Sequence, residues 1–446
     1  MARPLTIGLC AAVWALAGPA LALDPRLAIT QYRQDVWQEG LPQYSIHHIT
    51  QTPDGYLWLA TQAGLARFDG SRFAVFDNRN TPALRTNVIW ALHADRAGNL
   101  WIGTVTGGLV RYRDGEFTAF TTRDGLASDI VYTLEEDRSG TLWIGTSEGL
   151  SRFQEGRFST LAALARKSVK DLHLDTEGRL WVGTDGDGLY CLRDGGLTRY
   201  TKKDGLASDR IRALHADRKG RVWIGTDESG LDVFDGGHFT HRNPQGLSRD
   251  TIRNIVEDRD GNVWVGTFGG GLERFTDERV DQYGTAQGLP SDIVFSLFED
   301  REGSLWIGTV GGGLARLRDT KLQPLTRREG MPADLVRGIL QDRGCTMWVA
   351  TDQGVVALDR DRLAIASRLD GLPHRSVFAL AEDGGGSLWI GTRGGLWTRR
   401  PTGETRVYTS RDGLPSDQVR AVLADHRGRM WAGTEKGLAR LAGDRW

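Results

Sequence analysis

Ten residues at near-regular intervals share one chemical character. His47, Trp90, Tyr132, Lys170, Arg212, Arg253, Phe295, Arg337, Phe378 and Arg420 recur at spacings of 43, 42, 38, 42, 41, 42, 42, 41 and 42. Every one is aromatic or can carry positive charge. Each directly follows a Val or Ile, from Ile46 and Ile89 to Val419, and the flanking residues are mostly small or aliphatic. Arginine forks clamp carboxylate, phosphate or sulfate through paired N–H groups. Aromatic faces stack on sugars and other rings. A set that mixes the two suits an acidic or polyhydroxylated ligand, such as an oligosaccharide or an aromatic acid. The same stems and rings could instead pack between neighbouring elements. Which role holds depends on whether the fold brings them to a common opening.

The elements that must position them are set out by a second series in the same register. Trp58, Trp101, Trp143, Trp181, Trp223, Trp264, Trp306, Trp348, Trp389 and Trp431 take ten of the fifteen Trp, and each is followed two and three residues later by Gly or Ala and then Thr. A fixed period near forty marks a repeat architecture. Residues 125–158 serve as the type: Gly-Leu-Ala-Ser-Asp, a strand Ile130–Glu135, a turn at 137–140, strands Leu142–Thr146 and Leu150–Phe153, and a last strand at Phe158. Turn residues separate four short strands rich in Val, Ile, Leu, Trp and Phe. No stretch sustains helical periodicity. The fold class is therefore all-β, a β-propeller of four-stranded antiparallel blades in about ten repeats. The ten Trp are structural: a blade buries both faces, and indole is the largest filler. Gly103, Gly145, Gly183 and Gly225 let the next blade come close. The fourth repeat lacks the Gly-Leu-x-Ser-Asp entry and is four residues shorter, which predicts an intact blade with a trimmed entry loop.

Alternate strands of a blade run in opposite directions. The entry loops and the turns after the second strands, such as 267–271 and 309–313, therefore share one face of the disc. With the first strand innermost, the ten aromatic and cationic residues lie at the mouth of a central channel on that face, where a ligand is placed.

Bulk composition narrows the function classes. Net charge is −1, so no strongly basic field points to nucleic acid. Gly makes up 58 of 446 residues, about twice ordinary usage, as many tight turns require. Arg3, the apolar run Leu5–Leu16 and Ala20-Leu21-Ala22 read as a signal peptide, residues 1–22, cleaved after Ala22. This predicts export to the periplasm. Beyond Cys10 only Cys191 and Cys345 remain, in distant repeats, so no disulfide framework is expected.

His93, His173 and His215 share one position in three repeats and raise a zinc reading, but that position should spread them around a ring. Asp258-Arg-Asp-Gly-Asn262 resembles the start of a calcium loop but lacks its later Glu and matches the ordinary hairpin turn. No catalytic residues, metal ligands or cofactors are assigned. Nucleophile-elbow, phosphate-loop and zinc-protease patterns are absent from the sequence. The carboxylates sit in repeated turns, where equivalence across blades argues for structure.

The run 288–314, Gly-Leu-Pro-Ser-Asp through Glu-Asp-Arg-Glu-Gly-Ser-Leu-Trp-Ile-Gly-Thr-Val-Gly-Gly-Gly-Leu, resembles the two-component regulator propeller repeat, as does Trp37-Gln-Glu-Gly-Leu-Pro42. The resemblance covers about residues 32–446. It implies the periplasmic sensory region of a bacterial transmembrane signalling protein. In that family, paired seven-bladed propellers precede an immunoglobulin-like domain, a membrane helix and a histidine kinase or diguanylate cyclase. Membrane attachment and output would come through parts beyond residue 446, and a homodimer is one option for the full-length protein. Ten repeats imply one seven-bladed ring, residues 23–325, plus part of a second, residues 326–446, with a single larger ring as the alternative. Trp446 falls where a fourth strand begins, so the sequence reads as part of a longer protein. The alternatives from other classes are a secreted propeller enzyme (lyase or glycosidase) and a protein-interaction platform.

Overall fold

The computed structural model describes residues 23–227, 229–242, 251–277, 279–319, 325–359, 364–443 and 445–446. The expected signal peptide lies outside these residues. The described residues form ten antiparallel sheets, and their helical segments are short 3-10 turns. It divides into two compact units, one of residues up to Pro25 with Gln34–Asp319, the other of Arg26–Arg33 with Thr320–Trp446.

The first unit holds seven four-stranded sheets. In the first, Ile46–Gln51, Leu57–Thr61, Gly64–Phe68 and Phe73–Phe76 follow one another from inside to outside. The next five repeat this order, including the fourth, Val169–Leu174 to Gly196–Tyr200, whose entry is shortened to a 3-10 turn at Ala162–Leu164. The seventh sheet draws its outer strand from the N-terminal strand Arg33–Trp37. The inner strands touch in cyclic order, and the seventh touches the first. This strand, which precedes the first sheet in the chain, thus completes the last one, and its Trp37 stacks on Trp306, ring centres 5.2 Å apart.

The repeated motif explains how neighbouring sheets lock. In the first sheet, Trp58 donates its indole N–H to the Thr52 hydroxyl at 2.9 Å. In the other nine of the ten sheets the indole N–H donates to an Asp carboxylate six residues earlier, as Trp143 to Asp137 at 2.9 Å, Trp223 to Asp217 at 2.8 Å and Trp306 to Asp300 at 2.6 Å. The same carboxylate accepts backbone N–H groups of its own hairpin, as Asp217 does from Lys219 and Arg221. One buried Asp thus caps the turn and satisfies the Trp, which would otherwise bury an unpaired donor. The Thr closing the motif donates to the carbonyl of the Gly that opens the third strand, Thr146 to Gly149 at 2.8 Å. The Gly between them leaves room for the next sheet. A Cβ on Gly225 would lie 2.5 Å from Ile252 Cγ2, and one on Gly308 would lie 2.8 Å from Ile46 Cγ2. The junction between the seventh and first sheets therefore repeats the junctions inside the series. A rim latch adds to it: Arg259 N–H donates to Glu299, and Arg301 N–H donates to Gln51 across the closing junction.

The second unit is a stack of three sheets, two of four strands and one of three, Val419–Ala424, Met430–Thr434 and Gly437–Arg440. Trp446 packs edge-on against Trp389 and Tyr408.

Candidate functional site

Every inner strand carries the same irregularity. Its pairing to the second strand skips one residue, between Ile46 and His48, Val131 and Thr133, Ile211 and Ala213, and likewise in the other seven sheets. The skipped residue is the aromatic or cationic one. A bulge re-aims the side chain it carries, and here it turns that side chain out of the sheet. In the first unit, seven such side chains, His47, Trp90, Tyr132, Lys170, Arg212, Arg253 and Phe295, line one cavity of about 320 Å³ together with Gln62. That volume is at the lower end for small-molecule sites. The other three expected residues lie in the second unit and form a separate group: Arg337 and Arg420 stand 5.3 and 4.5 Å from the Phe378 ring centre, and Arg420 pairs with Glu435 at 2.5 Å.

The cavity is divided chemically. On one side, Trp90 and Tyr132 stack at 4.9 Å with planes 21° apart, and His47 and Phe295 lie 5.5 Å apart. On the other, Lys170, Arg212 and Arg253 stand in consecutive sheets. Lys170 Nζ sits 3.6 Å from the Tyr132 ring centre and 3.7 Å from Asp185. Arg212 bridges Asp185 at 3.3 Å and Asp227 at 2.8 Å, and Arg210 reaches the same two carboxylates from the rim. Arg253 is held differently, its guanidinium 5.2 Å from the Phe268 ring and 5.3 Å from the Phe295 ring. Among the described residues no carboxylate forms a salt bridge with it, although Asp227 is near enough to act on its charge, and the buried Nε–H groups of Arg253 and Arg212 have no acceptor. Burial and the neighbouring Arg212 lower its pKa, though an arginine stays charged at neutral pH. Four cations thus face two carboxylates, and the local balance is positive.

His47 is neutral at pH 7. Burial lowers its pKa, a bond to the Ile89 carbonyl works the other way, and Arg253 lowers it further. Its Nδ1–H is directed at that carbonyl, 3.1 Å away, which leaves Nε2 as an acceptor 3.4 Å from the Gln62 amide. Below the ring, the next inward residues join sheet to sheet. Asp171 accepts from Leu214 N–H at 2.7 Å and Thr133 Oγ1 at 3.1 Å, and Asn254 accepts from Leu297 N–H at 3.1 Å. Burial raises Asp171 to about 7 and Glu135 to about 8.

Gln62, Asp185, Asp227 and Phe268 did not figure among the expected site residues. All four occupy the position directly after the motif Thr. Aligned there, the column reads Gln62, Val105, Ser147, Asp185, Asp227, Phe268 and Val310, as variable as the Thr before it is constant. That contrast was the available signal.

The metal readings find structural answers. Asp258 spends both oxygens on protein donors: Trp264 and the Asn262 amide on Oδ2, and the N–H groups of Asp260 and Asn262 on Oδ1. His173 and His215 are not spread around the ring as expected. They lie in adjacent sheets with ring centres 4.7 Å apart. Burial lowers His93 to about 4 and His173 to about 3, keeping both neutral. Among the described residues, no group of three or more His, Cys, Asp or Glu is arranged to hold a metal ion.

Comparison with known proteins agrees with this architecture. The model of the two component regulator propeller repeat matches residues 40–63, 83–106, 125–148, 205–228, 246–269, 288–311, 371–394 and 413–436. Eight of the ten sheets thus carry the two component regulator propeller repeat. The fourth and eighth blades are the two without a match. Among functionally curated proteins, none matches. The chain is similar in fold to the extracellular domain of a hybrid two component system of B. thetaiotaomicron, with TM-score 0.57 and 20% identity over 92% of this chain and 71% of that one. It is also similar to virginiamycin B lyase of Staphylococcus aureus, with TM-score 0.55 and 13% identity over 65% of this chain and 100% of that one. A third likeness is to PorZ, a surface component of the type-IX secretion system of Porphyromonas gingivalis, with TM-score 0.53 and 16% identity over 84% and 60%.

Proposed function

We propose that the chain is the periplasmic sensory propeller of a bacterial transmembrane signalling protein. Its first unit, a seven-bladed propeller, binds an acidic, ring-bearing small molecule or oligosaccharide in the axial cavity. The observation that supports this is the convergence of one bulged side chain from each of seven blades on a single opening. The stacked Trp90–Tyr132 pair offers a flat face to a sugar or aromatic ring. Arg253 offers a half-buried fork, free of any salt bridge among the described residues, to a carboxylate or sulfate. Asp185 and Asp227 already neutralise part of the charge of Lys170, Arg210 and Arg212, and the positive charge left over favours an anionic ligand. His47 Nε2 and Gln62 add neutral polar contacts of the kind that orient hydroxyls.

The test is a fluorescence titration with glucuronic acid oligosaccharides, neutral glucose oligosaccharides and aromatic carboxylates. An acidic ligand should change the Trp emission of the wild type. In Trp90→Phe the signal change should shrink, and in Arg253→Met affinity should fall by roughly 10- to 100-fold, the worth of a charged hydrogen-bonded contact. Equal binding of neutral and acidic sugars by both proteins would overturn the assignment.

A further inference from the structure

The entry loop of the ninth sheet departs from its counterparts. In five other entries, an Asp two residues before the opening Val or Ile accepts the backbone N–H that starts a 3-10 turn. Asp129 accepts from Thr122 at 2.7 Å and Asp209 from Lys202 at 2.8 Å. Within the second unit, Asp334 accepts from Arg327 at 2.8 Å and Asp417 from Ser410 at 2.6 Å. The ninth sheet opens at Val377, and it has Arg375 in that place and no 3-10 turn before it. A guanidinium stands where a carboxylate elsewhere holds the turn.

The backbone follows the exchange. Before the third sheet, residues 121–124 separate Phe120, the last paired residue, from Gly125. Before the ninth, Leu369 N–H still donates to the Val355 carbonyl, and only Asp370 remains before Gly371. The N–H groups of Asp124, Gly125 and Leu126 donate to the carbonyls of Thr121 and Thr122, whereas those of Asp370, Gly371 and Leu372 have no acceptor among the described residues. The space beside the third strand, filled elsewhere, stays open. A Cβ on Gly64, Gly271 or Gly395 would lie 2.6, 2.6 or 2.8 Å from a fourth-strand carbonyl oxygen, but one on Gly354 would meet nothing within 4 Å.

A pocket of about 320 Å³ results, lined by Gln353, Gly354, Arg368, Asp370 and Arg375 among others. Arg368 donates to the Gly330 carbonyl at 3.1 Å. Among the described residues, neither Arg375 nor Asp370 forms a salt bridge, and the Arg375 guanidinium has no hydrogen-bond acceptor. The fourth sheet supplies the contrast: Lys167 holds the position of Arg375 there, and Asp187 neutralises it at 2.6 Å.

We propose that this pocket is an anion site that binds a phosphate or carboxylate group of a small ligand between Arg368 and Arg375. Guanidinium forks take such oxyanions through paired N–H groups. The unpaired N–H groups of the same loop add donors of the kind that build anion-binding concavities. The pocket shares no residue with the axial cavity, and its ligand is independent of what that cavity binds.

The test is arginine modification by phenylglyoxal in protein lacking residues 1–22, mapped residue by residue by mass spectrometry. Rates are compared in inorganic phosphate, citrate and chloride at equal ionic strength. At about 20 mM phosphate or citrate, modification of Arg368 and Arg375 should slow by roughly threefold or more relative to chloride, as a site two-thirds occupied requires. Exposed Arg123, on a capped turn, should not change. Slowing by only one of the two anions identifies the group the site takes. Arg375→Asp, which installs the residue of the other entries, should abolish the protection of Arg368 with far-ultraviolet circular dichroism unchanged. Arg375→Met, which removes the charge without adding one, should do the same. Equal rates in all three anions overturn the proposal. So does slowing shared by Arg123, or protection of Arg368 that survives both substitutions.

Discussion

Replacing Gly225 by Ala adds one methyl group at the most crowded kind of point in the fold. The backbone there is ordinary strand within Val222–Thr226, so no conformational strain enters. The new Cβ would stand 2.5 Å from Ile252 Cγ2, 2.7 Å from Ile252 Cβ and 3.1 Å from Ala213 Cβ. All three atoms belong to short, stiff side chains, and Ile252 is fully buried, so the sheets themselves must separate. Overpacking of this kind costs about 1–3 kcal/mol, a fall in Tm of roughly 2–6 °C for a unit of this size. Gly338→Ala makes the same change where the nearest atoms are 4.0 Å away, and should stay within about 0.5 kcal/mol of wild type. Ile252→Ala alone should cost about 2–5 kcal/mol through the cavity it leaves. In the double variant the added methyl fills part of that cavity. The two costs should then fall short of additivity by about 1 kcal/mol or more. Thermal unfolding followed by Trp fluorescence reads all four proteins. Additive costs, or a Gly225→Ala protein as stable as wild type, would refute the claim that Gly-to-Ile contacts set the spacing of the sheets.

Other expectations follow from the same contacts. Asp217→Ala leaves the buried Trp223 N–H and two backbone N–H groups unpaired and should cost about 2–4 kcal/mol by urea unfolding. Exposed Asp124→Ala, which removes only a turn cap, should cost about 1 kcal/mol or less. Glu135 is raised to about 8 by burial, so the folded state holds its proton more tightly than the unfolded chain. Its stabilising effect is complete below about pH 4.5 and is lost as pH rises toward 8. Glu135→Gln should flatten that slope and unfold at a higher temperature than wild type at pH 8, measured as Tm against pH. In protein lacking residues 1–22, one thiol should react with an aromatic disulfide reagent while folded. That thiol is exposed Cys345, and buried Cys191, its pKa raised by burial, should react only after denaturation.

Most of the blade was legible in the sequence because its rules are local. Trp at a fixed period, Gly behind it and Thr after that each satisfy a contact within one sheet or with the next, and the strand at Leu142–Thr146 falls where the pattern puts it. The lining of the cavity was legible for a related reason: a bulge at a constant position delivers a constant register, even though the bulge itself left no separate mark. What escaped depends on contacts distant in sequence. Nothing in Arg33–Trp37 announces that it pairs with a strand some 280 residues later. His173 and His215 stand in consecutive repeats, but that their rings come within 4.7 Å depends on the distance between two inner strands, which spacing does not encode. Asp185 and Asp227 look like ordinary turn carboxylates until the arginines they pair with are in place.

The central claim is that the axial cavity of the first unit is the ligand site and that Arg253 anchors the ligand's charge. Isothermal calorimetry of a uronic acid oligosaccharide against the wild type and Arg253→Met tests it most directly. One site per chain is expected in the wild type and an affinity at least about tenfold weaker in the variant, with Tm of the unliganded proteins within a few degrees. Equal affinity in both proteins, or no heat with any acidic sugar, would contradict it.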